Sequence, residues 1–310
     1  MRAFALTEFG SAPKIVDIDV PEPAEGEVRV RVHAASVNGF DLSVASGRVK
    51  DMMEHRFPVV LGKDFAGTVD AVGAAVSDYQ VGDRVFGVVT KPYLGDGSFA
   101  EYVTVPTSVG LARLPDSIDF IEGAALGLAG TAALQAVDAA EVQAGQRVLV
   151  VGATGGVGNQ VVQLAGNAGA QVIATAATDP ERTLVSKLGA ATTVDHTGDV
   201  LSAVQQEQPD GVDAIIHLAG DPTAVLDAVR PQGRFVSTMI QSPDQLPPTE
   251  ATVTGIYANP DPATLQRAAG HRADGSCQVH VQATYSLDQA PEAFTAFAGG
   301  TLGKLVITIA

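Results

Sequence analysis

Val148-Leu149-Val150-Val151-Gly152-Ala153-Thr154-Gly155-Gly156-Val157-Gly158 is an apolar strand that runs straight into a glycine-rich turn and out into a helix. Such a junction presents backbone N–H groups and the positive end of a helix dipole, which is what a dinucleotide pyrophosphate needs. Gly155 lets the backbone approach the phosphates and Gly158 lets the helix lie near the sheet, while Val157, Val161, Leu164, Ala165 and Ala168 share one apolar face. Thr154, Gly155, Gly156 and Val157 are the candidate phosphate contacts. Ala153 stands at the first glycine position of strict G-x-G-x-x-G, so the turn taken alone also reads as a structural strand-turn-helix.

The segments C-terminal to the turn favour the dinucleotide. Strands expected at 147–151, 171–175, 192–194, 214–218 and 234–238 alternate with helical segments at 157–168, 181–188, 200–206 and 222–229. That order predicts a doubly wound parallel sheet covered by helices on both faces, whose ligand lies at the carboxyl ends of the strands. Leu218, Ala219 and Gly220 after the fourth strand and Thr238 at the end of the fifth are candidate nicotinamide neighbours. His196, after the third, either stacks beside the adenine or is an exposed loop residue. At the end of the second strand Ala176 stands where an acidic residue would bond the ribose 2′-hydroxyl, and Thr175, Thr178 and Arg182 are placed to contact a 2′-phosphate. NADPH is favoured on this reading and NADH is the alternative. Asp179 and Glu181 flank Arg182 and dilute its charge, which leaves open a solvated helix residue.

Before about residue 106 the pattern is different. Val28, Val30 and Val32 alternate with Arg29, Arg31 and His33, the period of a half-buried strand, and Gly and Pro punctuate the later short runs. An irregular β-barrel is expected there. The final strand, near 304–309, is expected to return to it, giving a first domain of residues 1–120 and 262–310 around a second of 121–261.

Composition narrows the function classes. The 310 residues carry 19 Lys plus Arg against 35 Asp plus Glu, a net charge of -16 that repels nucleic acid and anionic lipid. Cys277 is the only cysteine, which excludes a disulfide framework and a multi-cysteine zinc site and fits a reducing cytoplasm. The first ten residues do not read as a secretory signal. The apolar run from Gly123 to Val137 falls short of the roughly 20 residues of a membrane helix.

Five stretches together resemble the medium-chain dehydrogenase/reductase family in its zinc-independent, zeta-crystallin-like quinone oxidoreductase branch. They are Ala35-Ser36-Val37-Asn38-Gly39-Phe40-Asp41, Leu61-Gly62-Lys63-Asp64-Phe65-Ala66-Gly67-Thr68-Val69, Val81-Gly82-Asp83-Arg84-Val85-Phe86-Gly87, Ala153-Thr154-Gly155-Gly156-Val157-Gly158 and Gly303-Lys304-Leu305-Val306-Ile307. The resemblance spans the chain. It implies a GroES-like catalytic barrel joined to a Rossmann domain. Zinc dehydrogenases of the same family place a Cys where Asn38 stands and Gly-His-Glu where Gly62-Lys63-Asp64 stands, and neither an amide nor an ammonium is a good zinc ligand. The branch's nicotinamide-side threonine falls on Ala132, its 2′-phosphate lysine on Glu181, and a tyrosine after the third strand on His196.

The resemblance implies an NADPH-dependent, zinc-free reductase of quinones or α,β-unsaturated carbonyl compounds. Asn38 is the candidate donor to the acceptor oxygen or, equally, an amide holding its own turn; Asp41 orients that loop or relays a proton. Asp64 and Lys63 read as a local structural pair or loop contact rather than an acid/base couple, and His217 as a packed core residue. A homodimer is expected through the β-branched edge from Ala251 to Tyr257. The alternatives are an enoyl-thioester reductase and a non-catalytic dinucleotide-binding protein.

Overall fold

The computed structural model describes residues 1–309. The chain divides into two units, one of residues 1–128, 260–273 and 281–310, the other of 129–259 and 274–280. The division falls inside a helix.

The first unit begins with β1 (Arg2–Leu6), β2 (Lys14–Asp17) and β3 (Glu27–Ser36), then the short α1 (Gly39–Ala45). After these come β4 (Glu54–His55), β5 (Val59–Val60), β6 (Asp64–Val72), β7 (Arg84–Val88), β8 (Tyr93–Leu94), β9 (Tyr102–Pro106) and β10 (Leu111–Arg113). Helix α2 (Phe120–Ala139) carries the chain into the second unit, which holds β11 (Arg147–Val151), α3 (Gly156–Asn167), β12 (Gln171–Thr175) and α4 (Asp179–Lys187). It continues through β13 (Thr192–Val194), α5 (Val200–Glu207), β14 (Val212–His217), β15 (Val229–Ser237) and β16 (Thr252–Gly255). Back in the first unit lie α6 (Pro262–Ala273), β17 (Val281–Ser286), α7 (Ala290–Ala298) and β18 (Lys304–Thr308).

In the first unit the main sheet runs β10-β7-β6-β3-β18-β17, with β9 also on β3, beside a small β2-β1-β5 sheet. Along β3 the residues Val28, Val30 and Val32 are buried as the alternation requires, and they join Phe4, Phe65, Phe99 and Leu305 in one core. β18 lies antiparallel to β3, pairing Val306 with Ser36 and Ile307 with Ala35. Helix α6 has no counterpart in the sequence reading. It is polar on most of its surface and buries only Thr264, Leu265, Ala268 and Ala269, with Asp261 bonding the Thr264 N–H at its start.

The second unit is a six-stranded, all-parallel sheet in the order β13-β12-β11-β14-β15-β16. Continuous burial of Val148 to Val151 and of Ala214 to His217 is what a sheet covered on both faces demands. The connection from β14 to β15 is a tight 3-10 turn, Pro222–Ala228, where the sequence suggested an ordinary helix. Helix α2 is a 20-residue apolar helix whose most apolar window is 67% buried, so core burial accounts for its composition.

Candidate functional site

In the second unit the strand ends are in register: Val151 pairs with His217, His217 with Ser237, and Thr175 with Val194. That alignment brings the 152–158 turn, Thr175 to Thr178, His196, Leu218 to Gly220 and Thr238 to one edge of the sheet. Gly152 takes a positive φ of 82°, and Ala219 lies against it: a Cβ built on Gly152 would meet the Ala219 Cβ at 3.0 Å. Gly158 has no room at all, because a Cβ there would sit 2.2 Å from the Gly152 carbonyl oxygen. Around Gly155 the nearest atom to such a Cβ is 3.6 Å away. Gly155 is also the N-cap of α3 and offers no side chain to cap it. The helix therefore opens beside free space without a capping side chain, the arrangement suited to an anionic oxygen. Asn159 stiffens the turn, its Nδ2 donating to the Thr154 and Gly155 carbonyls at 2.8 Å each, and its Oδ1 is buried without a partner. These residues fit a diphosphate.

Thr175 is placed differently from a ligand contact. Its hydroxyl is buried, accepts the Gly152 N–H at 2.9 Å and faces the Val150 carbonyl at 3.4 Å, so it ties the turn to β12. Thr178 caps α4 by accepting the Glu181 N–H at 3.4 Å. In return the Glu181 Oε2 accepts the N–H groups of Ala177 at 2.6 Å and Thr178 at 2.8 Å. Burial pushes the Glu181 carboxyl up, yet those two backbone bonds and His196 Nε2, 3.5 Å away, hold it below its ordinary value. Arg182 faces Asp179 at 3.3 Å and Asp195 at 3.9 Å. Leu218 donates its N–H to the Val151 carbonyl, and Ala219 and Gly220 beyond it are exposed. His217 is fully buried, its Nδ1 3.0 Å from the Ser237 hydroxyl, and burial lowers its pKa to about 4.

The first unit carries a second polar cluster, closed rather than open. Asp64 is fully buried at the start of β6. Its Oδ2 accepts from Ser36 Oγ at 2.6 Å and Asn38 Nδ2 at 2.8 Å and lies 3.4 Å from Lys304 Nζ, while Oδ1 accepts the Leu128 N–H at 2.7 Å. Lys304 donates in turn to Asn38 Oδ1 at 2.7 Å and the Val37 carbonyl at 3.1 Å. Both ends of the Asn38 amide are thus engaged inside the protein, and its N–H is held by Asp41 Oδ2 at 2.8 Å. Of the two structural readings of Asp64 and Lys63, the direct ion pair does not form among the described residues; Asp64 is held by Ser36, Asn38, Leu128 and, from the far end of the chain, Lys304. The sequence reading assigned Lys304 no role in the site, although one lysine leading an otherwise apolar strand was the available signal.

Asp41 is almost fully buried, and that burial raises its pKa to about 7. The Asn38 N–H opposes the rise, the charge of Asp64 adds to it, and Lys304 and Lys63 counter it. Burial lowers the Lys63 ammonium's pKa. Asp41 and Lys63 share a cavity of ≈ 20 Å³ with Lys91 and Asp96. An amide already bonded on both sides and two ammonium groups are a poor donor set for zinc. Among the described residues no group of three or more His, Cys, Asp and Glu could hold a metal ion.

Residues 24–116 match the alcohol dehydrogenase GroES-like domain, and residues 156–259 match the zinc-binding dehydrogenase domain. A mouse (Mus musculus) quinone oxidoreductase is 31% identical over 261 residues, covering 81% of this chain and 76% of the relative. The chain belongs to the quinone oxidoreductase branch of the medium-chain dehydrogenase/reductase family. A chloroplastic NADPH-dependent alkenal/one oxidoreductase of Arabidopsis thaliana is 33% identical over 76% of this chain and 62% of its own length. The solved quinone oxidoreductase of Coxiella burnetii superposes with a TM-score of 0.88 at 27% identity, covering 100% of this chain and 99% of that one. As in that branch, the chain is an oxidoreductase built from a GroES-like barrel and a Rossmann sheet.

Proposed function

We propose that this oxidoreductase reduces quinones or α,β-unsaturated carbonyl compounds with NADPH or NADH and without zinc. The observation that carries the reading is the turn at Gly152 to Gly158, open at Gly155 and leading into a helix with no capping side chain. The mouse and Coxiella relatives, named quinone oxidoreductases, and the Arabidopsis relative, named for alkenals and enones, support the acceptor class. When bound, the dihydronicotinamide supplies a hydride that the acceptor takes up with one proton, giving the oxidised nicotinamide and a hydroquinone or saturated carbonyl compound.

The protein's part is positioning. Thr154, Gly156 and Val157 would hold the diphosphate through backbone N–H groups, the Gly155 N–H closing the turn onto the Gly152 carbonyl at 3.2 Å and Thr175 keeping Gly152 in place. Leu218, Ala219, Gly220 and Thr238 share the sheet edge on which the nicotinamide half would lie. In the barrel unit Asn38 orients Lys304 and Asp64 and keeps no free donor for an acceptor. Asp41 is the better candidate for handling the proton: it titrates near neutrality and borders a cavity with room for about one water. The single cysteine fits a reducing, cytoplasmic setting.

Incubating the purified, chelator-treated protein with NADPH or NADH and a panel of quinones, enones and an enoyl thioester tests the reading. Acceptor-dependent loss of reduced-nicotinamide absorbance with quinones or enones is expected. Turnover confined to the thioester, or tight binding without turnover of any acceptor, would replace it.

We also propose a homodimer through β16. Among the described residues this strand pairs with β15 alone and has no strand on its other side, and Tyr257 just beyond it is 86% exposed. Light scattering should give twice the 31.7 kDa chain mass and the monomer for Tyr257→Glu; a variant that stays dimeric would move the interface elsewhere.

A further inference from the structure

The end of β12 is where a doubly wound sheet meets the adenosine ribose of its dinucleotide. Read as sequence, this place lacks a carboxylate, because Ala176 stands there. In three dimensions a carboxylate is present: Glu181, in the first turn of α4, reaches back so that its Oε2 takes both backbone N–H groups just past the strand, at Ala177 and Thr178. Those are the donors a 2′-phosphate would use. Its other oxygen, Oε1, accepts from no protein donor among the described residues.

The surrounding charge points the same way. Asp179 and Asp195 both lie within ion-pair distance of Arg182, so its guanidinium is already neutralised. A phosphate carrying close to two negative charges would meet the carboxylates of Glu181, Asp179 and Asp195, with Arg182 already paired to the last two. A ribose with a free 2′-hydroxyl would instead meet an acceptor with an available oxygen.

We propose that Glu181 makes this site selective for an unphosphorylated ribose, so that the protein takes NADH in preference to NADPH. The inference rests on the turn at Gly152 to Gly158 binding a nicotinamide dinucleotide. Glu181 acts by two routes at once. Its charge repels the 2′-phosphate, and its bonds to Ala177 and Thr178 close the backbone donors against it. A role confined to capping α4 would close the same two donors and leave out the charge effect. Such a cap works as well with glutamine, which separates the two roles.

The test is direct binding, measured by calorimetry on the full-length protein without an acceptor. Wild type should bind NADH at least about tenfold more tightly than NADPH, the scale of one charge-assisted hydrogen bond gained or lost. Glu181→Gln keeps the cap, and an unchanged melting temperature will confirm it; the preference should fall by about tenfold. Glu181→Lys should reverse it. Wild type that binds NADPH as tightly as NADH overturns the proposal, as does a preference for NADH that survives Glu181→Gln. Failure of both dinucleotides to bind would remove the underlying reading of the turn and this inference with it. Tight NADPH binding alone removes only the role of Glu181.

Discussion

The turn at Gly152 to Gly158 and the cluster around Asp64 are both polar constructions beside strand ends, and they are opposites. In the turn, glycines leave space at Gly155 and the first amides of α3 have no capping side chain. Around Asp64 each named polar atom already has a partner within the protein, and Asn38, Ser36 and Lys304 are buried with it. Open donors beside free space mark a place prepared for a ligand, whereas mutually satisfied buried groups mark a place that holds the fold. Residue type alone does not separate the two, since asparagine, aspartate and lysine are as common in active sites as in structural networks.

The comparison breaks most visibly at Lys304. Lys304→Met leaves the Asp64 carboxylate buried without its cation and should cost ~3–5 kcal/mol in chemical denaturation, the usual price of half a buried ion pair. A loss under ~1 kcal/mol would mean that the cluster is not held by this pair.

Asp41 gives a pH-dependent test of the same cluster. Its pKa is raised from 3.8 to about 7, so between those values the folded state holds a proton that the unfolded state has released. Its contribution therefore favours folding at acid pH and is lost as pH rises from about 4 to 7. Asp41→Asn removes that slope: the wild type's stability relative to the variant should shrink by up to ~4 kcal/mol across this window. Parallel pH profiles for the two proteins would show that Asp41 ionises freely.

Two alanine substitutions sharpen the other side of the comparison. Gly158→Ala forces a methyl group onto the Gly152 carbonyl and should destabilise the second unit by ~1–3 kcal/mol. Gly155→Ala, with an ordinary φ of -74° and open space, should leave the melting temperature unchanged. Its methyl group would instead occupy phosphate space and weaken dinucleotide binding by roughly tenfold, about 1.4 kcal/mol. Equal binding by this variant would mean that the diphosphate does not lie over Gly155.

Much of the architecture was legible because it is written in short periods. An apolar strand, a glycine turn and an amphipathic helix, repeated, specify a parallel sheet almost by themselves, and the alternation of Val28, Val30 and Val32 specifies a half-buried strand. Helix α6 escaped because its buried face is narrow. The segment before β15 was read as an ordinary helix because Pro222 starts either kind of helix and local pattern does not distinguish a tight 3-10 turn. At the candidate site, the Gly-rich turn could be read from its spacing, but the engaged hydroxyl of Thr175 could not, since its partner lies 23 residues away in the turn that follows β11.

By itself the sequence determined the order of strands and helices, the position of the glycine-rich turn and the presence of a single cysteine, because each depends on neighbouring residues or on composition. Tertiary structure alone decided which polar groups are still available. Lys304 reaches Asp64 across 240 residues, and Glu181 arrives at the end of β12 from a helix that begins beyond it. Hydrogen bonds form between groups close in space, and the folded chain sets that closeness with no trace in local periodicity.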